Sequence, residues 1–400
     1  RSCVFFACGF VWSRTFFVFS REKVEQKQEF IMEGKAVKKR LFGLCFVLVL
    51  LCAVLAVSAS AAEIVDSGTC GSSLTWTLDS GGVLRITGRG AMNNYVDFTE
   101  SPWFLHKDSI NTVIIGDYVT TVGDQAFSMS NVSSVSIPNS VTSIGYAAFF
   151  GCPITSIVLP EGLITIGDGA FSRAGIISIT IPDSVTELGM SAFSYCPNLT
   201  SAFVGNGVQE IAEETFLCCN NLSSVAIGNS VTSIGSQAFH GCSNLTRIIL
   251  GNNTSLIGDA AFSECTSLTE VVIPDSVTNV GTSAFRNCSS LTEITIGKNV
   301  TRIGAVAFSG CTSLTNISIP DSVTEIGDHA FVDCTNLINI TIPCNVSSAG
   351  IELFYDCTSL ENIYVDQENK TYISVDGVLF DIKKEKLIQY PGPRPYNGVN

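Results

Sequence analysis

Charge is the property this 400-residue chain most lacks. Only 14% of its residues are Asp, Glu, Lys or Arg, and it holds three histidines, His106, His240 and His329. With 46% hydrophobic residues the scarcity does not mean disorder, because the chain has ample apolar surface to bury. Three widely spaced histidines leave no Ser/His/Asp or Cys/His set to assemble, so no enzyme activity and no cofactor are expected. Basic residues are the scarcer sign: residues 63–400 carry 13 Lys/Arg against 32 Asp/Glu, a net charge of −19. Nucleic acid and anionic membranes are poor partners for such a surface. Glycine-rich spots such as Gly88-Arg89-Gly90 lack the strand–loop–helix setting of a phosphate loop and read as turns.

What the chain has in place of charge is repetition. Phenylalanine recurs at Phe127, Phe149, Phe171, Phe193, Phe216, Phe239, Phe262, Phe285, Phe308, Phe331 and Phe354, in three steps of 22 residues and then seven of 23. Self-similarity at such a period is the signature of a leucine-rich-repeat solenoid. The unit is clearest from Ser267 to Cys288. Leu268, Val271 and Ile273 follow a leucine-x-x-apolar-x-apolar pattern, the last two pointing inward from a half-buried strand while Val272 points out. Pro274 cannot donate to a strand ladder, so the strand stops there and Asp275-Ser276 turn. Val277 and Val280 face inward again, and Gly281 makes the next corner. Ala284-Phe285 is expected to form one turn of helix, and Cys288 leads to the next strand leader, Leu291.

These leaders number twelve, from Ile110 to Leu360. The expected fold is therefore mainly β: a right-handed leucine-rich-repeat solenoid of about 12 coils of 22–23 residues with non-repeat β-hairpin caps. At about 4.8 Å per coil it would extend roughly 50 Å. Stacking sets like on like, so Phe149, Phe239, Phe262, Phe285 and Phe308 are expected core, beside Cys242, Cys265, Cys288 and Cys311. Three residues depart from the pattern: Thr254 stands where other coils carry Val, Ala212 where they carry Gly, and Ala349 where they carry Ile or Val.

Outside the repeats, the chain divides by composition. Lys35, Lys38, Lys39 and Arg40 precede the apolar run Leu41–Val57, and Ala59-Ser60-Ala61 offers a small-x-small cleavage site. Residues 32–62 therefore read as a signal peptide starting at Met32. A run of 17 residues with a small-residue exit fits cleavage better than a retained span, and Cys52 after the bulky Leu51 does not fit a lipidation site. Residues 1–31, opening on Arg1, read as a non-native upstream extension. Residues 63–109 read as an amino-terminal β-rich cap: Leu74–Leu78 and Val83–Thr87 flank the hairpin signal Asp79-Ser80-Gly81-Gly82, with a loop at Gly88–Met92 and an anchor at Ser101-Pro102-Trp103. The repeats span 110–362. Residues 363–400, where Ser374–Phe380 and Lys386–Tyr390 read as one more hairpin before Pro391, Pro393 and Pro395, form a carboxyl cap or an inter-repeat segment. The absence of a sorting signal before Asn400 reads as truncation.

Units such as Ile319-Pro-Asp-Ser-Val-Thr-Glu-Ile-Gly-Asp-His-Ala-Phe-Val-Asp-Cys334 resemble the BspA-type leucine-rich repeat. Gly68-Thr-Cys-Gly71, Leu74–Leu78 and Gly88–Met92 resemble the lead-in of such proteins, and Ser374–Phe380 a segment found between or after their repeats. The likeness covers about residues 63–395. It implies a secreted or surface-displayed bacterial binding protein, often adhesin-like, and carries no catalytic residue over.

Nine cysteines lie three residues after a repeat Phe: Cys152, Cys196, Cys219, Cys242, Cys265, Cys288, Cys311, Cys334 and Cys357. An exported chain invites a disulfide framework. Equivalent side chains of stacked coils are parallel with Cβ atoms about 4.8 Å apart, whereas a disulfide needs roughly 3.5–4.5 Å and converging vectors. Buried free thiols are the expectation, and one sulfur per coil gives no tetrahedral metal set. Cys218 and Cys344 are extra thiols.

The outward positions of the first strand would tile a concave sheet. One row runs Ile114, Ser136, Val158, Thr180, Phe203, Ala226, Ile249, Val272, Thr295, Ser318, Thr341, Tyr364, and its neighbour runs Ser201, Ser224, Arg247, Glu270, Glu293, Asn316. Phe203, Arg247, Ile249, Glu270, Val272 and Glu293 are the candidate ligand-binding residues, since aromatic and Arg side chains anchor interfaces and exposed apolar patches mark contact sites. β-branched residues also suit strands for purely structural reasons. Two functions stand side by side at this stage. One is a recognition protein for an extracellular protein or glycan ligand, with no stable membrane span after signal cleavage. The other is a structural spacer displaying a module beyond Asn400.

Overall fold

The computed structural model describes residues 62–392; residues 1–31, the stretch read as a signal peptide up to residue 61, and Pro393 and Pro395 lie outside the described residues. Within them the chain winds as a β-solenoid of about eleven turns, one for each repeat phenylalanine. The twelfth leader, Leu360, feeds a final strand, Asn362–Val365, and no repeat Phe follows it.

Each typical coil carries a longer and a shorter strand. Ser178–Ile181, Ser201–Val204, Ser224–Ile227, Arg247–Ile249, Glu270–Val272 and Glu293–Thr295 form one parallel six-stranded sheet. The alternation predicted from the pattern sets its faces: Ile179, Ala202, Val225, Ile248, Val271 and Ile294 are buried, and their neighbours point out. The shorter strands are two residues long in most coils. They form a five-stranded sheet ending at Glu187–Leu188 and a seven-stranded sheet from Glu210–Ile211 to Ser348–Ala349. Serine and threonine hydroxyls tie the coils further, as where Thr269, Thr292 and Thr301 donate to carbonyls 23 residues back at 3.1–3.2 Å.

The third side corrects an expectation. Ala284-Phe285 is not a turn of helix; among the described residues the only helical segments are the 3₁₀ turns Phe98–Glu100 and Phe104–His106. Tight turns take its place: Ala284 N donates to Gly281 O, Arg286 N to Ser283 O and Cys288 N to Phe285 O, at 3.0–3.3 Å. Ser283 and Asn287 adopt positive φ, 56° and 58°. These left-handed residues turn alternate amides outward, so that Ser283, Phe285 and Asn287 N donate to Ala305, Ala307 and Ser309 O of the next coil at 2.7–2.8 Å. A helix would spend the same amides on itself. Positive φ recurs two residues before and two after every repeat Phe, yet glycine fills only Gly151, Gly169, Gly241 and Gly310 of these positions.

The core is a column of aromatic rings. Successive phenylalanines from Phe127 to Phe354 stack with centroids 5.2–5.7 Å apart and planes within 20°. Trp103 starts the column, stacked on Phe127 at 5.2 Å with its Nε1 donating to Ala126 O at 2.7 Å; Trp76 meets it edge-on. The Ser101–Trp103 anchor is thus the first rung. Phe149, Phe239, Phe262, Phe285, Phe308 and the thiols Cys242, Cys265, Cys288 and Cys311 are all fully buried. Thr254 is buried as well, and its hydroxyl finds the Val231 carbonyl at 3.3 Å.

At the amino end Leu74–Asp79 and Val83–Gly88 pair antiparallel, joined by a strand the pattern did not show, Ile64–Gly71. Val83–Gly88 then pairs parallel with Thr112–Ile115, which passes the sheet into the repeats. At the other end the expected single hairpin is three strands. Tyr372–Val375 and Val378–Asp381 turn on Asp376-Gly377, both at positive φ as a two-residue hairpin loop requires, and Leu387–Gln389 adds to them.

Candidate binding face

Parallel in-register pairing decides what the longer strands display. Ser178, Ser201, Ser224, Arg247, Glu270 and Glu293 stand in one row across the sheet, each paired to the next. Thr180, Phe203, Ala226, Ile249, Val272 and Thr295 form the second row, two residues along each strand. The strand period of two places both rows on the outward face. Phe203, Ile249 and Glu270 are half-buried there, and Arg247, Val272 and Glu293 are exposed. The six candidate residues therefore share one face, on four strands of a run of five coils.

The rows are shorter than the sequence pattern implied. The coil at Val158 has no assigned strand, so the row breaks between Ser134–Ser136 and Ser178–Ile181. Beyond Thr295 only isolated bridges, Thr295 with Ser318 and Asn316 with Asn339, carry it to Asn339–Ile342. The continuous face spans Ser178 to Thr295.

Its electrostatics are uneven. Glu270 stands directly beside Glu293 at the inter-strand spacing of about 4.8 Å, an unfavourable pair in a sheet, with Arg247 on the far side of Glu270. Next to this charged row lies the apolar step Phe203, Ala226, Ile249, Val272. A guanidinium, two carboxylates and an apolar strip within one patch can take a partner group by charge, hydrogen bond and contact together.

Other sequence candidates scatter. His106 Nε2 lies 2.8 Å from the Asp66 carboxylate in the amino cap, and His329 Nδ1 lies 3.7 Å from Glu352 on the turn side of a late coil. The hydrogen bond from His106 holds the Asp66 carboxyl below its ordinary range. His240 is elsewhere again, so the fold does not bring the three histidines together. All twelve cysteines among them are free thiols. Seven ladder thiols from Cys196 to Cys334 donate to the Phe carbonyl of the preceding coil at 3.0–3.2 Å. Burial pushes Cys152, Cys265 and Cys311 up to about 12.

The sequence reading missed one exposed feature of the turn side. Arg173 lies over the rings of Phe150 and Tyr195, at 5.9 and 5.0 Å, from three successive coils. Counting outward from each repeat Phe, one and two residues on, would have aligned them.

The comparisons agree with this architecture. The description "BspA type Leucine rich repeat region" matches in six copies over residues 99–216, 164–292 and 283–377. No curated protein matches the chain. Among solved structures, a leucine-rich repeat protein from Eubacterium ventriosum is similar at TM-score 0.51 and 24% identity, covering 78% of this chain and 94% of that one. The pneumococcal vaccine antigen PcpA is similar at TM-score 0.51 and 20% identity, covering 77% and 83%. Both likenesses concern the fold. With the family description spanning residues 99–377, the chain belongs to the BspA-type leucine-rich-repeat family.

Proposed function

We propose that this protein is a secreted or cell-surface recognition protein, adhesin-like and non-catalytic, that binds an extracellular protein or glycan through its longer-strand face. One observation carries the reading: Arg247, Glu270 and Glu293 stand in register beside Phe203, Ile249 and Val272 on one outward face, with Arg247, Val272 and Glu293 exposed. Juxtaposed Glu270 and Glu293 gather two carboxylates beside Arg247, a cluster that a cationic or hydroxyl-bearing partner can address. Export is supported by the basic residues, apolar run and small-residue exit between Lys35 and Ala61. Family membership supports the same placement.

The test is binding of the purified chain to matrix proteins, mucins and polysaccharides, beside a variant carrying Phe203→Ala, Arg247→Ala and Ile249→Ala. Circular dichroism confirms folding of the variant. Saturable binding that the variant loses by about tenfold or more is expected, since truncating two or three anchors costs over 1 kcal/mol each. Binding that the variant keeps would move the site off this face. No binding across the panel would favour a spacer.

A further inference from the structure

Position 212 breaks a ladder of glycines. Nearly every coil carries glycine at the corner after its shorter strand, packed on the backbone of the coil before. A Cβ added at Gly189 would lie 2.4 Å from the Asp168 amide, and one at Gly235 would lie 2.6 Å from the Glu213 amide. Ala212 carries that methyl group.

The seam it faces is where the shorter-strand sheet divides, five strands ending at Glu187–Leu188 and seven beginning at Glu210–Ile211. In the flanking seams Gly189 N donates to Ile166 O and Gly235 N to Ile211 O, both at 2.8 Å. Among the described residues no such bond joins Ala212 N to Leu188 O, or Gln209 N to Thr186 O. The coils stay joined on their other sides: Ser178–Ile181 pairs in full register with Ser201–Val204, and Phe193 N donates to Thr215 O at 2.9 Å. The seam therefore opens along one side only.

An open groove of about 620 Å³ runs over it and over the closed seam before it, walled by Thr165, Asp168, Thr186, Glu187, Gln209 and Glu210 and by no basic residue. Two of its carboxylates are held in place. Asp168 Oδ1 accepts from Met190 N at 2.8 Å, and Glu187 Oε2 accepts from the Thr165 hydroxyl at 3.0 Å. The groove thus sets acceptors, from carboxylates and the Thr186 and Leu188 carbonyls, against donors, from the Gln209 and Ala212 amides and the Thr186 hydroxyl.

We propose that this seam is a second binding site, distinct from the longer-strand face, for a small uncharged saccharide of one or two rings. Sugar hydroxyls donate and accept, which matches a mixed set of unpaired backbone groups. Three carboxylates repel phosphorylated, sulfated or uronic ligands. An ammonium ligand would leave the free amides without acceptors, and among the described residues no group of three or more His, Cys, Asp or Glu is placed to hold a metal ion. The volume lies in the range of small-molecule sites.

Ala212→Gly tests the idea without threatening the fold, because it removes the methyl and lets the ladder close. Saturation-transfer NMR of the full chain with glucose, galactose, N-acetylglucosamine, maltose and cellobiose should show transfer to at least one sugar. That signal should fall about tenfold or more in Ala212→Gly and in Glu187→Gln/Glu210→Gln, and persist in the Phe203/Arg247/Ile249 variant. Hydrogen exchange should show the amide at 212 gaining protection in Ala212→Gly. No transfer from any of the five sugars, or transfer undiminished in Ala212→Gly, would overturn the proposal. So would an amide at 212 that exchanges alike in both proteins, and so would displacement of the sugar by calcium or spermidine at equal concentration.

Discussion

Phe262→Ala perturbs the column at its middle. The ring is fully buried between Phe239 at 5.4 Å and Phe285 at 5.3 Å, with interplanar angles of 4° and 9°. Removing a ring takes away about 3 kcal/mol of buried apolar area at ~25 cal/mol per Å². Each stacked face adds about 0.5–1.5 kcal/mol, and a solenoid coil has only its two neighbours with which to collapse the cavity. A loss of about 3–5 kcal/mol is therefore expected. Phe354, at the end of the column with one phenylalanine neighbour at 5.6 Å and 20°, should lose less on the same change. Urea unfolding followed by far-UV circular dichroism measures both variants. A loss below about 1 kcal/mol for Phe262→Ala, or a larger loss at Phe354, would refute the column as the source of cohesion.

The thiol ladder makes stability depend on alkaline pH. Burial raises Cys265 and Cys311 from 9.0 to about 12, so these thiols stay neutral in the folded chain while their unfolded counterparts ionise. Their stabilising contribution is fully present below about pH 9 and is lost as pH climbs from there toward about 12, so urea midpoints should fall from pH 8 to pH 10.5, and less steeply in Cys265→Ala/Cys311→Ala. In the native state iodoacetamide should modify Cys218 and Cys344, which are half-buried, and spare Cys265, Cys288 and Cys311, as mass spectrometry of quenched samples would show. Val306, two positions before Phe308, is a β-branched residue at φ 59°, where the neighbouring coils carry Ser283 and His329. Val306→Asn should stabilise by about 1 kcal/mol in the same unfolding assay, and a destabilised variant would show that the methyls pack better than the backbone strains.

The architecture was legible because each coil states its plan in residues one chain position can carry. Inward Val271 and Ile273, the stop at Pro274, the corner at Gly281 and the ring at Phe285 all act locally, and repetition averages out their ambiguity. The turn around Ala284-Phe285 was misread for a reason equally physical. Ser283, unlike Asn287, is no obvious left-handed residue, and only the demand that its own amide and that of Phe285 reach Ala305 and Ala307 in the next coil puts it there. Propensity sees the residue; the ladder acts between coils. The same limit applied to the face, where Arg247, Glu270 and Glu293 could be aligned by period but the loss of the strand at Val158 could not.

Ala212 shows what that limit implies for finding sites in a repeat protein. Within its own coil, alanine for glycine is a conservative change with no local signature beyond a mild gain in helical preference. Its consequence lies 23 residues away, at a seam where the corresponding glycines of neighbouring coils pack on the preceding backbone and where here two hydrogen bonds are not made. In a stack held together by nearest neighbours, a fault in one seam cannot be shared among distant contacts, so it stays where it arises and becomes a groove. The informative positions are then not the residues most unlike the consensus in chemistry. They are those whose consensus residue is required by contact with the next coil, and among the three departures noted, only Ala212 coincides with a break in the strand ladder. Thr254 finds the Val231 carbonyl and leaves its seam closed, and Ala349 pairs with Ile326 in register.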